Sequence, residues 1–470
     1  MEKFSRRFFL GGCAALAGAR VFAANGFRLG KVNLRLGVLS DVHVHDAECY
    51  DSAHLVRAFE YFRDNGADGV IIAGDIADRG LVSELKYFAA AWYKVFPNDT
   101  APDGRHVEKL FVYGNHDVLG WTWTDQATRE KPEHIANAIG YSEETRARVW
   151  EECFHEKYEP IWIKDVKGYK VVGRHWKYDD RLEEFLKAHA DELKGRRPFF
   201  YAQHDHPRNT CFDEWAWGHD DGTSTRLLSQ FPNCVAFSGH SHYTLTDERT
   251  VWQGAFTSIN TSSMRYSSTD YNLRDNFRSN SGGYQGWNRS RVTPSFATDN
   301  GKQGMLLEIG DEAIVIRRRE FVWNESLGDD WVLPLPAAGG DSLSYASRAA
   351  KRSAPAFPKD AEVKVSRVKD EKAGELVEVA FPAADPVDGC RVFEYEVAAI
   401  LCEDGLEMQA ITKRVIATDF HLPASQCGKP GVCRFTADEL PPKARLRFEV
   451  RPIECFGKKG AAIVSPTCVP

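Results

Sequence analysis

The stretch Val70-Ile71-Ile72-Ala73-Gly74-Asp75-Ile76-Ala77-Asp78-Arg79-Gly80 runs from an unbroken apolar segment into a turn carrying two carboxylates and a guanidinium. Val70 to Ala73 reads as a short strand buried on both faces, because an internal strand covered by helices shows continuous rather than alternating apolar character. The same construction recurs along the chain. Leu34 to Leu39 leads into Asp41-Val42-His43, and Leu110 to Tyr113 into Gly114-Asn115-His116-Asp117. Pro198 to Ala202 leads into Gln203-His204-Asp205-His206, and Cys234 to Phe237 into Gly239-His240-Ser241-His242. Between the first strands lie helical patterns: one capped by Asp51 or Ser52, running to Asn65 and stopped by Gly66, and a second over Leu81 to Val95. This β-α-β rhythm predicts an α/β domain with an internal sheet.

Ligands in open α/β sheets gather beyond the carboxyl ends of strands, so all five polar clusters are placed to converge on one site. Their Asp, Asn and His side chains offer oxygen and imidazole donors, a set suited to Zn, Mn or Fe and not to a thiolate centre. Gly74, Gly114 and Gly239 open three of the clusters and allow the backbone to come close to whatever is held there. Singly, each cluster is an ordinary turn Asp or core His; five in this order at strand ends are not.

The order DxH, GDxxD, GNHD, a later His and GHxH resembles the calcineurin-like metallophosphoesterase superfamily, over about Leu36 to Ile316. The resemblance implies a four-layer α-β-β-α sandwich, with two central sheets face to face and helices outside. It implies that Asp41, His43 and His242 hold a first metal, that Asn115, His204 and His240 hold a second, and that Asp75 bridges them. Two metals about 4 Å apart can clamp a phosphate and supply hydroxide at neutral pH. His116 then lies positioned to protonate the leaving oxygen, with Asp78 placed to orient it. Arg79 resembles the phosphate-binding arginine of the protein-phosphatase branch, although an ordinary helix-start arginine reads nearly as well. The fourth motif departs from the usual His-x-Pro, reading His204-Asp205-His206-Pro207; His204, at the strand end, is the chosen ligand and His206 the runner-up. His45 and Asp46 read as substrate contacts or as solvated loop residues.

Outward from this core, Thr122 to Tyr158 is a polar, helix-prone insertion, and Asn260 to Asn300 is rich in Ser, Asn, Gly, Tyr and Arg and reads as a long surface loop. Met305 to Ile309 and Ala313 to Ile316 predict a closing hairpin. Leu333 to Lys359 has the Pro, Ala, Gly and Ser content of a linker. Beyond it Val363 to Val368, Leu376 to Phe381, Val392 to Ile400 and Ala444 to Val450 alternate as strands with no helix between them, predicting an all-β sandwich that resembles a fibronectin type III domain. At the other end, Ser5-Arg6-Arg7-Phe8-Phe9-Leu10 and the apolar stretch to Ala24 resemble a twin-arginine signal peptide with a cleavage site among small residues. The expected organisation is a signal peptide over 1–24, a metallophosphoesterase domain over 31–330, a linker over 331–359 and a β-sandwich over 360–470.

The 470 residues carry 60 Lys and Arg against 67 Asp and Glu, a net charge of −7, which argues against broad electrostatic binding of nucleic acid beyond a nucleotide substrate. No apolar run after Gly26 reaches membrane-spanning length, so no integral membrane protein is expected. Six of the eleven cysteines fall in the last stretch, a clustering that permits disulfides in an exported chain. Trp121, Trp123, Trp215, Trp217, Tyr266 and Tyr271, with Arg265, Arg274 and Arg278, lie on segments that would rim the site, either gripping substrate or packing loops. The expectation is a periplasmic or extracellular hydrolase of phosphoesters, monoester or diester, of a small molecule, nucleotide or lipid head group, with two metal ions (Mn, Zn, Fe or a mixture) and the twin-arginine machinery as export partner. The competing expectation is an inactive scaffold of the same fold used for binding or adhesion.

Overall fold

A computed structural model describes the chain except residues 1–28, 46–49, 213–219, 269–296, 299–300, 338–339, 372–373, 404 and 470. The region read as a signal peptide lies outside the described residues, as do Asp46, Trp215, Trp217, Tyr271, Arg274 and Arg278. Among the described residues no helix is long and apolar enough to cross a membrane.

Three apolar runs become the parallel strands β1 (Leu34–Leu39), β2 (Gly69–Ala73) and β3 (Glu108–Val112), joined by the helices α1 (Tyr50–Asp64) and α2 (Val82–Val95). Gly66, at φ 76°, turns the chain out of α1. Glu84 opens α2 by accepting the main-chain N–H groups of Arg79 and Leu81 at 2.9 and 3.1 Å. A second sheet holds β4 (Ile161–Val166), β5 (Tyr169–Arg174), β6 (Phe199–Ala202), β7 (Cys234–Ser238), β8 (Val251–Gln253) and β9 (Thr257–Asn260), in the order β4-β5-β6-β7-β9-β8. Within it β5, β6, β7 and β9 are parallel, and the outer strands β4 and β8 run antiparallel to their neighbours. The pair β10 (Ser267–Ser268) and β11 (Ala297–Thr298) stands apart. The chain then returns to the first sheet as β12 (Gln303–Ile309), antiparallel to β1, and β13 (Ala313–Glu320), on which β14 (Glu325–Ser326) and β15 (Trp331–Pro334) pair.

The alternation of side chains along each strand builds the layers. Leu36, Val38, Ile71, Leu110 and Val112 of the first sheet meet Val171, Phe200, Val235 and Phe237 of the second in one core. Their neighbours Val70, Ile72, Phe111, Val172, Tyr201 and Ala236 face the other way, into a core shared with Phe59, Phe62, Phe88 and Trp92 of the first helices and Leu182, Leu186, Leu227 and Leu228 of later ones. The result is the expected four-layer α-β-β-α arrangement.

Several expectations need correction. The segment from Asn260 is not a surface loop where it is described: Asn260 to Ser263 are fully buried and Met264 nearly so. The supposed linker carries β15 and a helix over Tyr345–Lys351, whose Arg348 donates to the carbonyls of Glu248 and Val251. The nine described cysteines are free thiols, so no disulfide joins them.

The C-terminal region is all-β. One antiparallel sheet orders β16 (Lys364–Asp370), β17 (Gly374–Phe381) and β20 (Gly431–Thr436) as β16-β17-β20. The other orders β18 (Glu394–Glu403), β19 (Leu406–Ile416), β21 (Leu446–Ile453) and β22 (Ile463–Val464) as β19-β18-β21-β22. Val377, Val379, Val397, Ala399, Phe435, Phe448 and Val450 fill the space between them. Phe212 and Tyr243 of the first region belong to the same core.

Candidate metal centre

All five polar clusters lie beyond the carboxyl ends of β1, β2, β3, β6 and β7, and the structure brings them together. The ligand atoms of Asp41, His43 and His242 lie within 4.8 Å of one another, as do those of Asp75, His204 and His240. Asp75 sits between the groups, its Oδ2 3.0 Å from His204 Nε2 and 3.7 Å from His43 Nε2. Asp41 Oδ1 lies 3.1 Å from His242 Nε2. A third group, His43, Asp78 and His116, shares His43 with the first.

The backbone is bent to make this possible. Asp41, His43, Asp75, His240 and His242 all have φ between 46° and 72°, a region that costs a non-glycine residue on the order of 1 kcal/mol or more. Two glycines have no room for a side chain: a Cβ on Gly239 would lie 1.9 Å from Ser40 Oγ, and one on Gly114 would lie 2.2 Å from Asp75 Oδ1. Asp117, unassigned from sequence, clamps two of the loops. Its buried carboxylate accepts the N–H groups of Ile76, Ala77 and Gly114 at 3.2, 2.7 and 2.7 Å.

The imidazoles are oriented from outside. His204 Nδ1–H donates to the Ala73 carbonyl at 2.8 Å, and His242 Nδ1–H to the Tyr266 carbonyl at 3.2 Å. His43 Nδ1 meets the Asp78 carboxylate at 3.1 Å. With Nδ1 engaged on oxygen, each ring points its Nε2 inward, the atom a metal-ligating histidine presents once a metal has displaced its proton. His43 Nε2 and His242 Nε2 then face each other at 3.2 Å, and His204 Nε2 faces His240 Nδ1 at 3.1 Å.

Burial alone would raise the Asp41 carboxyl, but the His242 and His204 imidazoles hold it well below the usual carboxylate range. Asp75 is likewise held down against burial, chiefly by His204 and His116. Burial would lower His43 and His204, yet Asp41, Asp75 and Asp78 push His43 up to about 10, and Asp75 and Asp41 push His204 up to about 9. The negative carboxylates that favour protons on these buried imidazoles mark the pocket as a functional-site candidate. Asn115 Oδ1 is buried without a hydrogen-bond partner, as expected of an amide oxygen whose partner is a cation. Donor chemistry, inward-pointing Nε2 atoms and this orphaned oxygen together fit metal binding.

The structure separates the two candidate histidines of the fourth cluster. His206 is spent on serines, Nδ1 with Ser238 Oγ at 2.7 Å and Nε2 with Ser241 Oγ at 3.0 Å, and burial pushes it down to about 3. The expected pairing of Asp78 with His116 is corrected. The Asp78 carboxylate faces His43 and, at 3.4 Å, His45, while His116 Nδ1–H donates to the Asp78 main-chain carbonyl at 2.7 Å. His116 Nε2 remains free to face Asp75 Oδ2 at 4.0 Å. Arg79 stands at the rim, its side chain 57% exposed and its Nε 3.3 Å from Asp78 Oδ2.

Two supports escaped the sequence reading. The buried turn after β9 holds Asp41 through Ser263 Oγ, which donates to the Asp41 carbonyl at 3.1 Å, and it supplies the Tyr266 carbonyl to His242. Trp176, after β5, lays its ring 5.8 Å from those of both His204 and His240. Neither carries a motif, because main-chain carbonyls and packed rings act through position alone.

Residues 34–244 match the model of the calcineurin-like phosphoesterase family. Similar solved structures include a dimetal phosphatase from Danio rerio, 12% identical with a TM-score of 0.37 over 65% of this chain and 99% of its own. A purple acid phosphatase from yellow lupin seeds is 12% identical, with a TM-score of 0.39 over 64% of this chain and 53% of its own. An anchor in the inner membrane complex of Plasmodium is 13% identical, with a TM-score of 0.37 over 65% and 89%. No curated protein matches the chain.

Proposed function

We propose that this chain is an exported hydrolase of phosphoesters that works with two bound metal ions. The observation that carries the reading is the convergence of Asp41, His43, His242, Asp75, His204 and His240 on one buried centre, with the orphaned Oδ1 of Asn115 on the adjoining loop after β3. Asp41, His43 and His242 would hold one ion, and Asn115, His204 and His240 the other, with Asp75 shared. Bound there, the ions would supply Lewis-acid charge to a phosphoryl oxygen and lower the pKa of water.

The chain's own contribution is orientation and proton transfer. The Asp78 carbonyl holds one proton of His116 on Nδ1, so the imidazolium carries its second proton on Nε2, and that second proton is the one passed to the departing oxygen. The Asp78 carboxylate steadies His43 and so acts on the centre indirectly. Arg79, exposed at the rim, offers a guanidinium fork to phosphate oxygens. Export by the twin-arginine route rests on Ser5 to Leu10, and the periplasm or exterior is the proposed location. A fibronectin type III relationship for the sandwich is supported by its three- and four-stranded antiparallel sheets.

The test is hydrolysis of an aryl phosphomonoester and the matching diester by protein loaded in turn with Mn, Zn and Fe. Turnover is expected with at least one metal, and its ratio between the esters names the reaction. Asp75→Ala should lose both metal and turnover. His116→Ala should keep its metal, measured by elemental analysis, and slow turnover about 10²- to 10³-fold. Metal-independent hydrolysis, or full activity in Asp75→Ala, would refute the assignment.

A further inference from the structure

The centre is walled on one side by a continuous row of rings. Tyr266 packs on His242 with centroids 4.2 Å apart, His242 lies 5.0 Å from His43, His43 lies 4.2 Å from His116, and His116 lies 4.5 Å from Trp123. Four of the five rings are buried or partly covered, but Trp123, at the end of the row, is 46% exposed. A scattered exposed tryptophan is ordinary on a protein surface. This one touches the imidazole assigned to protonate the leaving oxygen, and that imidazole is already held by the Asp78 carbonyl without it. The indole stands at the mouth of the centre with part of its surface open.

The group that protonates a leaving oxygen lies beside the leaving group, so the surface just beyond His116 is where the body of that group comes to rest. We infer that the leaving group of the substrate is planar and aromatic, a nucleobase-bearing or aryl group, and that Trp123 is the platform on which it stacks. An indole has the largest π-face among side chains, and stacking tolerates any planar ring. The segment that carries Trp123 continues this character: Leu119 is 40% exposed and Tyr141 54% exposed, the latter edge-on to Trp121 at 5.8 Å. The inference rests on the phosphoester reading above and names the substrate class for that site.

The test reads binding apart from turnover. Phenylphosphonate, cyclohexylphosphonate and methylphosphonate, whose P–C bonds are not hydrolysed, are titrated calorimetrically into the full chain purified with Mn, as wild type, Trp123→Ala and Trp123→Phe. Wild type should bind the phenyl compound more tightly than the cyclohexyl one, which has similar bulk and no π-face. Trp123→Ala should weaken phenylphosphonate about tenfold more than methylphosphonate, and Trp123→Phe should retain most of the preference. Equal weakening of the phenyl and methyl compounds, equal affinity for phenyl and cyclohexyl, or binding of none of the three would overturn the platform. Absence of hydrolysis with the phenyl preference intact would overturn the hydrolase reading and leave the platform standing.

Discussion

At the scale of single residues, the centre depends on groups that never reach a metal or a substrate. Asp117 is the clearest. Its carboxylate is fully buried and satisfies three main-chain N–H groups from two loops, one carrying Asp75 and the other Asn115 and His116. Asp117→Asn would set an amide N–H₂ against at least one of those donors, and a buried donor left unpaired costs about 2 kcal/mol. The expected result is an unfolding free energy, read from urea denaturation, lower by that amount, with a correspondingly lower midpoint and weaker metal retention on dialysis against a chelator. An unchanged midpoint would show that the loops hold their shape without the clamp. Asp78 teaches a related lesson, since its side chain and its carbonyl serve different histidines.

Secondary-structure elements set where buried charge is tolerated. Glu394, opening β18, is buried and 3.2 Å from Arg414, which also pairs with Glu396 at 2.6 Å. Burial pushes its carboxyl from the ordinary 4.5 up to about 7, with Arg414 and Arg249 pulling it down and Glu396 adding to the rise. The folded chain therefore keeps a proton that the unfolded chain has released. Stability from this group is intact below about pH 4.5, falls as pH rises to about 7, and is lower by about 3 kcal/mol above that. Glu394→Gln should abolish this slope, being more stable than wild type at pH 8 and equal to it near pH 4. Parallel denaturation curves at both pH values would count against the assignment.

Across the whole molecule, the sandwich is joined to the metal-binding region by buried polar contacts as well as by apolar packing. Arg249, ion-paired with Asp247, lies between the rings of Phe212 and Phe393, 3.9 and 4.6 Å from their centroids. Gln303 is fully buried; its Oε1 accepts from Leu245 N at 2.8 Å and from Ser262 Oγ at 3.1 Å, while its Nε2 donates to the His421 carbonyl of the sandwich at 2.8 Å. Its own N–H binds the Ser263 carbonyl at 2.9 Å, in the turn that holds Asp41. Calorimetry should show both regions melting in one transition, and Gln303→Leu should lower stability by about 3 kcal/mol by orphaning several buried groups at once. Two separate transitions, with only one moved by the substitution, would mean that the link carries no energy.

Much of this was legible in the amino-acid order, for a local reason. Apolar runs such as Val70 to Ala73 declare buried strands because each residue of an internal strand faces a core, and the polar clusters after them declare a site because strand ends in such sheets share one edge. That reasoning reaches the α/β architecture, the gathering of the five polar clusters at one sheet edge and the β-rich C-terminal region, whereas the individual ligand set Asp41, His43, Asp75, Asn115, His204, His240 and His242 is what the resemblance to metallophosphoesterases implies. It does not reach contacts made by main-chain carbonyls, which look alike in every sequence. Hence the Asp78 carbonyl on His116, the Tyr266 carbonyl on His242 and the burial of Asn260 to Met264 emerged only in three dimensions. The same holds for His206, whose type and spacing match a ligand's. Only the fold reveals that Ser238 and Ser241 already occupy both its nitrogens, because a hydrogen-bond partner is chosen by distance in space and leaves no mark on the order of residues.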